Sequence, residues 1–357
     1  GSAEGEGLAH VRRSMKDPFP IPNGLAPKNW AKNTAYDLVL VSDLSLLGGT
    51  RRCNEGYIAA ALELGLRVGL FHWPRFDLKL ADVADDYLEL AYDPRVDILV
   101  PEDRITARAV LVHHPPILKT RIDAVPGIDA DRVAVLVNQS PMQCWSQQPF
   151  YYDGPNAEET CRELFGHEPV WLPISPRVGT ILRRAGGFGT VSEDIWHPPF
   201  RGALPESPPP PPAGLGTDRR VVVGRHGRDH WTKWPARAET LAAAYCADAE
   251  GITVRLLGGA DTATRLLGAK PENWEIAAFD SAAIDSFVSG LDVFVHYVHE
   301  DYIEEFGRAA MEAMAAGRVV ILSPDFESTF GDAALYAQPS AVAKTARAVC
   351  ADPTAYA

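Results

Sequence analysis

The first half of the chain carries short, continuous apolar runs rather than an alternation of apolar and polar positions. Runs of this kind are typical of parallel strands that are covered on both faces of a sheet. We therefore predict a series of buried parallel strands. They occupy residues 36–42, 67–71, 97–100, 109–112, 133–137 and 170–173.

Helices are predicted between these strands at residues 52–64, 157–165 and 175–184. The last begins with Ser175 as its cap and Pro176 at its first position, a combination that favours a helix start. A glycine turn, Gly48-Gly49-Thr50, links the first strand to the first helix. Strand, glycine loop, helix and strand together form a βαβ unit, and such units build α/β folds with parallel sheets.

A proline-rich segment separates the two halves. Residues 198–217 include the run from Pro208 to Pro212, which is followed by Gly214 and Gly216. A proline run cannot lie inside a helix or a sheet and behaves as a stiff connector. Beyond it the alternation resumes. The predicted strands lie at 220–224, 252–257, 291–295 and 319–322, with helices at 235–247, at 281–289 and from about 307.

These patterns predict the domain organisation. It consists of a polar tail over residues 1–33, an α/β domain over 34–200, a linker over 201–217 and a second α/β domain over 218–357. Two such domains on a connector predict a cleft between them.

Composition narrows the class of protein. Hydrophobic residues make up 46% of the 357 positions and charged residues 23%, which is typical of a globular protein. The net charge of −13 argues against a broad nucleic-acid surface. The five cysteines are scattered, which favours free thiols in a reducing cytosol over a disulfide framework. The expected location is therefore cytoplasmic.

The segment that leads from the strand at 291–295 into the next helix carries the strongest chemical signal. Glu304 lies in an acidic loop, and Glu312 lies about one turn inside the helix that starts near Gly307. Side chains on a helix lean toward its N-terminus, so Glu312 can reach the region that Glu304 faces. The free amides of the helix start point there as well. Carboxylates for hydroxyl groups and amides for phosphate suit a sugar nucleotide.

Glu304 and Glu312, with Phe306-Gly307 between them and Ala313-Met314-Ala315-Ala316-Gly317 after them, resemble the E-x7-E motif of retaining GT-B glycosyltransferases, especially family 4. The resemblance implies a GT-B-like fold, in which two Rossmann-like domains face a central cleft. It also implies that Glu312 binds the nucleotide ribose and that Glu304 contacts the donor sugar as a catalytic residue. The backbone of Phe306, Gly307 and Arg308 would hold phosphate or sugar.

A basic loop, from Gly224 to Pro235, follows the strand at 220–224. Departure of a nucleoside diphosphate leaves negative charge, which fixed cations stabilise better than water does. The family places an arginine just after this strand and a lysine several residues later. Arg225 and Lys233 match these catalytic positions best, and Arg228 is a rival on the donor side.

The first domain supplies the remaining expected contacts. Gly48 and Gly49 resemble the glycine loop of the family, which approaches the donor diphosphate, and only glycine lets backbone come so close to a ligand. His113 and His114 follow one strand, and Asn138 and Gln139 follow another. Many family members carry a histidine where Asn138 lies. Either Asn138 does that work by hydrogen bonding, or His113 or His114 serves instead, with Gln139 on the acceptor side.

Other ligands are not indicated. His296, His299 and Asp301 match no common zinc pattern, so we expect contacts to base or donor sugar there rather than a metal. The chain has no G-x-G-x-x-G motif, which counts against a dinucleotide oxidoreductase. We expect no cofactor and no metal, and a UDP- or GDP-sugar as the donor.

The expected function is that of a hexosyltransferase (EC 2.4), which moves a sugar with retention from a nucleotide sugar to an acceptor hydroxyl. The acceptor classes left open are carbohydrates, lipid-linked molecules, which would place the enzyme at a membrane surface, and small molecules. Two alternatives stay open, a GT-B-fold nucleotide-sugar epimerase and a non-catalytic sugar-nucleotide-binding domain. Family members often end in a further helix, so we expect a truncated second domain from a longer multidomain chain.

Overall fold

The computed structural model describes most of the chain beyond the predicted tail. The tail over residues 1–33 and most of the predicted proline-rich linker, residues 201–211, lie outside the described residues. The structure describes residues 34–75, 82–122, 124–200, 212–217, 219–278 and 281–352.

The described residues form two compact units. Unit 1 contains those up to Gln143 and those from Gln147 to 200. Unit 2 contains those from 212 onward and, in addition, the short segment Cys144–Ser146.

Unit 1 is built on an eight-stranded sheet in which every pair of neighbours is parallel. Its strands are β1 (Thr34–Ser42), β2 (Val68–His72), β3 (Val96–Ile98), β4 (Arg104–His113), β5 (Gly127–Ala130), β6 (Val133–Val137), β7 (Val170–Pro173) and β8 (Thr190–Val191). They lie in the order β3-β2-β1-β4-β6-β7-β8, and β5 pairs with the start of β4.

The helices of unit 1 are α1 (Gly49–Glu63), α2 (Asp85–Leu90), α3 (Gly154–Phe165) and α4 (Pro176–Ala185). The predicted start of α4 is confirmed, because the Ser175 hydroxyl accepts a hydrogen bond from the Val178 amide at 3.2 Å. Helix α2 and strands β5 and β8 were not predicted. They are short and lack a continuous apolar run, so the sequence carries little signal for them.

Unit 2 contains a six-stranded parallel sheet. Its strands are β9 (Val221–His226), β10 (Ile252–Leu257), β11 (Trp274–Ala277), β12 (Val293–His296), β13 (Val319–Leu322) and β14 (Leu335–Tyr336). They lie in the order β11-β10-β9-β12-β13-β14. Counted from the first strand of the unit, this is the 3-2-1-4-5-6 order of a doubly wound nucleotide-binding sheet.

The described helices of unit 2 are α5 (Ala238–Ala244), α6 (Asp261–Leu267), α7 (Ile284–Ser289), α8 (Arg308–Ala315), α9 (Glu327–Phe330) and α10 (Val342–Ala351). The predicted helices at 235–247 and 281–289 are present but shorter. Helices α6, α9 and α10 and strands β11 and β14 were not predicted.

Strand β12 shows why continuous apolar runs mark these strands. Val293 and Val295 pack into the hydrophobic cluster on one face of the sheet, and Phe294 packs into the cluster on the other. Successive side chains in a strand point to opposite faces, so a strand covered on both faces needs apolar residues at every position. All three side chains are fully buried.

In the described part of the chain, each helix is too short or too polar to cross a membrane. The five cysteines all lie in described ranges, and they are free thiols.

Candidate nucleotide-sugar site

The sheet order of unit 2 defines where a ligand is expected. Strands β9 and β12 are hydrogen-bonded neighbours, although two other strands separate them in sequence. Open α/β sheets bind ligands outside the carboxyl ends of their strands, where the strand order reverses. In unit 2 this point lies beyond His226, the last residue of β9, and His296, the last residue of β12.

The basic loop after β9 and the acidic loop after β12 meet at this edge. The Lys233 Nζ donates a hydrogen bond to the Glu304 Oε2 at 2.5 Å, which also makes an ion pair. The Glu304 side chain is only 14% exposed. His296 Nε2 lies 3.8 Å from the same carboxylate oxygen.

Lys233 keeps Glu304 ionised. Burial by itself would raise the pKa of the carboxyl, but the Lys233 charge outweighs burial and holds that pKa well below its usual range. An ionised carboxylate is an acceptor only, with up to four lone pairs. Glu304 can therefore accept hydrogen bonds from sugar hydroxyls but cannot donate a proton at neutral pH.

His296 is buried beside this pair and stays neutral. Burial lowers the pKa of the imidazole, although the Glu304 carboxylate opposes the effect. Within the described ranges, neither ring nitrogen has a hydrogen-bond partner. Buried polar atoms without partners are rare, and they often mark a place where water or a ligand binds.

Glu312 lies next to the end of β9. It is the fifth residue of α8, and its carboxylate reaches back toward the helix start, as predicted. Its Oε1 accepts a hydrogen bond from Arg308 Nε at 3.1 Å, and its Oε2 lies 3.4 Å from His226 Nε2. Both carboxylates of the predicted motif thus lie at the carboxyl ends of the central strands.

Helix α8 starts at the same edge. Gly307 caps it in a left-handed conformation with φ of 90°, which favours glycine, and a Cβ there would lie 3.1 Å from the Phe326 ring. Phe306 is buried against Phe330, with ring centroids 5.5 Å apart. The positive end of the helix dipole and the first amides of α8 suit an anion such as phosphate.

The three predicted cations have different surroundings. The Arg225 guanidinium is buried, with its carbon 4.2 Å from the centre of the Trp234 ring. It donates hydrogen bonds to the Lys233 carbonyl and to the Tyr245 hydroxyl, the latter at 3.2 Å. Arg228 is exposed. Of the three, the structure brings only Lys233 against Glu304, while Arg225 braces the backbone of the loop that carries Lys233.

The basic loop is held by contacts of its own. The Asp229 carboxylate accepts hydrogen bonds from Trp234 Nε1 at 2.8 Å and from the Thr262 amide at 2.9 Å. At Gly258, which has a φ of 113°, a Cβ would lie 2.1 Å from the Gly227 carbonyl oxygen. The loop after β10 therefore packs directly on the backbone of the basic loop and fixes its path.

Unit 1 also gathers its predicted residues at the carboxyl ends of adjacent strands. Gly48 lies after β1 with φ of 81°, and α1 begins at Gly49. Asn138, after β6, donates from Nδ2 to the Thr50 hydroxyl at 2.9 Å, so it lies beside the glycine loop. The carbonyl of Gln139 accepts a hydrogen bond from the Tyr152 hydroxyl at 2.7 Å, which ties that residue to the start of α3.

His113 belongs to a buried network. The amide nitrogen of Asn54 donates to the Ser42 hydroxyl at 3.1 Å and to the Tyr87 hydroxyl at 3.0 Å. The Asn54 oxygen therefore accepts from His113 Nδ1, 2.5 Å away. Burial, and less strongly the neighbouring His114, lowers the pKa of His113 to about 3, so the ring is neutral. His114 follows in a left-handed conformation with φ of 78°.

Several residues of these sites were not singled out from the sequence. His226 is the last residue of an apolar strand at the point where the strand order reverses, and that position could have identified it. Asn54 gave no local signal, because its three partners lie 12, 33 and 59 residues away. Among the described residues, no group of three or more histidine, cysteine, aspartate or glutamate side chains has the geometry to hold a metal ion.

Comparison with known proteins gives a result for structure and none for sequence. No protein-family model matches the chain, and no curated protein matches it. Among solved structures, the chain is similar to HepE from Anabaena in complex with UDP and glucose, at 14% identity and a TM-score of 0.57. That match covers 90% of this chain and 91% of HepE.

Two further structures are similar at lower TM-scores. A trehalose-6-phosphate synthase matches at 16% identity and a TM-score of 0.46, covering 88% of this chain and 90% of that one. TarM from S. aureus matches at 13% identity and a TM-score of 0.44, covering 70% of this chain and 49% of TarM. The likeness to HepE shows the fold. The chain has an α/β fold with two parallel sheets, as in the GT-B glycosyltransferases.

Proposed function

We propose that this protein is a retaining GT-B glycosyltransferase that moves a sugar from a nucleotide sugar to an acceptor hydroxyl without a bound metal. The observation that carries the proposal is the Lys233–Glu304 pair, which lies at the carboxyl ends of β9 and β12 with Glu312 on the same edge. The fold shared with HepE, which was crystallised with UDP and glucose, supports a UDP-sugar as the donor.

Each group has a role that follows from its chemistry. Glu312 accepts hydrogen bonds from the ribose hydroxyls, and the ionised Glu304 accepts them from hydroxyls of the donor sugar. The start of α8 and the Lys233 ammonium bind the diphosphate. The exposed Arg228 adds a second cation on the donor side.

The reaction breaks the bond between the anomeric carbon and the oxygen of the β-phosphate. Negative charge then grows on the diphosphate, and the fixed charge of Lys233 stabilises it without reorganisation. The acceptor oxygen bonds to the anomeric carbon on the face that the diphosphate leaves. Its proton passes to the departing diphosphate, so no side chain has to act as a strong base. This agrees with the presence of an amide, Asn138, at the position where many family members carry a histidine.

Product analysis tests this function. The protein is incubated with UDP-glucose and, separately, GDP-mannose, with a panel of simple glycosides as acceptors, and nucleotide release and the anomeric configuration of the product are measured by NMR. We expect UDP or GDP release and a product with the anomeric configuration of the donor. An inverted product contradicts retention, and conversion of the donor to an epimer without an acceptor contradicts transfer.

Metal independence is tested in the same assay. We expect the rate to be the same in the presence of excess EDTA. A rate that falls with EDTA and returns with Mg²⁺ or Mn²⁺ would contradict that part of the proposal.

A further inference from the structure

The segment Cys144–Ser146, named here the strap, is far in sequence from the rest of unit 2 but packs within that unit. Its contacts converge on Asp301. The Asp301 Oδ1 accepts a hydrogen bond from the Ser146 amide at 2.8 Å, and its Oδ2 accepts one from the Ser146 hydroxyl. The Asp301 carbonyl accepts another from the Trp145 amide at 2.8 Å.

The next residue of the loop is fastened as well. Tyr302 and Cys144 form an isolated antiparallel bridge. The strap therefore holds two consecutive residues of the segment 299–302, which leads from β12 into Glu304. The Asp301 carboxylate accepts hydrogen bonds from both the amide and the hydroxyl of Ser146. Hydrogen bonds to an ionised group are short and strong, so this contact holds the strap in a defined position.

The segment 299–302 is also held by the chain that follows β9. The His299 amide donates to the Thr232 carbonyl at 3.0 Å, and its ring packs edge-on against Trp231 with centroids 4.9 Å apart. The Glu300 carboxylate accepts a hydrogen bond from the Ala236 amide at 2.8 Å. The segment is thus held both by the strap and by the loop that carries Lys233.

Tyr302 connects the strap to the ion pair. The Lys233 Nζ lies 4.8 Å from the centre of the Tyr302 ring, a cation–π contact, while the same nitrogen bonds to Glu304. A shift of Asp301 and Tyr302 would therefore move the Tyr302 ring against which Lys233 packs and the backbone two residues before Glu304.

We propose that the strap is a positioning element, in which Ser146 and Asp301 hold the 299–302 segment so that Lys233 and Glu304 keep their paired geometry. Its effect on catalysis rests on the proposed glycosyl transfer. Groups that stabilise charge in a transition state act only when they are already in place, and a displacement of about 1 Å can lower a rate by about two orders of magnitude. Neither residue needs to touch a substrate for this role.

The strap is tested by hydrogen–deuterium exchange on the S146A and D301A variants. The matched control is D131N, which changes an exposed aspartate of unit 1. We expect faster exchange in peptides that cover residues 231–236 and 299–306 in both variants, with unchanged exchange in β1. S146T keeps the hydroxyl, so exchange in these peptides should be as slow as in the wild type. Wild-type exchange in both variants would overturn the proposal.

Kinetics separate positioning from ligand binding. With UDP-glucose as the donor, we expect S146A and D301A to lower kcat about tenfold or more, a larger factor than the loss of affinity for UDP, because the charge that Lys233 stabilises grows in the transition state. Faster exchange with unchanged kcat would overturn the positioning role. If the wild-type protein neither binds nor turns over any nucleotide sugar, the proposed function fails, and the exchange experiment alone decides whether the strap holds the ion pair.

Discussion

Lys233 and Glu304 lie 71 residues apart in the chain, yet the lysine ammonium bonds to the glutamate carboxylate at 2.5 Å. The pair joins the loop after β9 to the loop after β12, on the edge where the strand order of unit 2 reverses. Glu304 is largely buried, so its ion pair with Lys233 stabilises the fold. The flexible lysine side chain also carries a charge that a ligand can use.

Removal of the lysine should therefore destabilise the protein. In K233M the Glu304 carboxylate stays buried without its cation, so we expect a loss of about 1–3 kcal/mol in the free energy of unfolding, measured by urea denaturation. R255M is the control, because the Arg255–Glu275 pair is exposed and its loss should cost under about 1 kcal/mol. Equal losses of unfolding free energy in the two variants would contradict the stabilising role of Lys233 beside the buried Glu304.

The pH dependence of stability should report the low pKa of Glu304. A carboxyl whose pKa is lower in the folded than in the unfolded state stabilises the protein above its unfolded pKa, about 4.3, and loses that contribution as the pH falls toward the folded value. The difference in unfolding free energy between wild type and E304Q should be constant from about pH 8 to 6 and shrink below about pH 4. A wild-type stability that instead rises relative to E304Q as the pH falls through about 6 would mean that burial, not Lys233, dominates the pKa.

A methyl group at Gly258 should disturb the basic loop. In G258A the new Cβ would meet the Gly227 carbonyl oxygen at 2.1 Å, so the loop has to move. G251A is the control, since Gly251 also has a positive φ, of 70°, but no atom within 4 Å of an added Cβ. We expect G251A to cost about 1–2 kcal/mol for the left-handed backbone alone. G258A should lower the melting temperature further and weaken nucleotide binding, which G251A should leave unchanged.

His113 should stay neutral through the physiological range. Its pKa is lowered to about 3 by burial, and the Asn54 network requires the proton on Nδ1. In ¹⁵N NMR we expect a protonated Nδ1, a bare Nε2 and no titration of this ring above about pH 5. Titration near pH 6, or a proton on Nε2, would contradict the network. N54A removes the hydrogen-bond acceptor, so the proton of the His113 ring should no longer be confined to Nδ1.

The apolar runs predicted most of the core strands because both faces of each sheet are covered, so Val293, Phe294 and Val295 of β12 are all apolar. The short strands β5, β8, β11 and β14 were missed because they bury few side chains. β11, for example, buries Trp274 but exposes Glu275. The strand order depends on contacts between distant segments, which a local pattern does not contain.

The candidate site could be predicted only in part. The positions of Glu304 and Glu312 relative to the start of α8 follow from helix geometry. The spacing of the cations could not reveal that Trp234 and Tyr245 would enclose Arg225 and leave Lys233 for Glu304. The contacts of the strap could not be predicted either, because Ser146 and Asp301 are 155 residues apart in the sequence.

The most direct test of a nucleotide-sugar site in unit 2 is calorimetric titration of the wild-type protein, E312A and E272A with UDP and GDP. Glu272 is the control because it is exposed, in the turn between α6 and β11. We predict that one of the nucleotides binds the wild type and E272A equally. E312A should bind it about tenfold or more weakly, since hydrogen bonds to a carboxylate contribute about 1.5–3 kcal/mol. Binding of neither nucleotide to the wild type, or equal binding to E312A, would contradict the site.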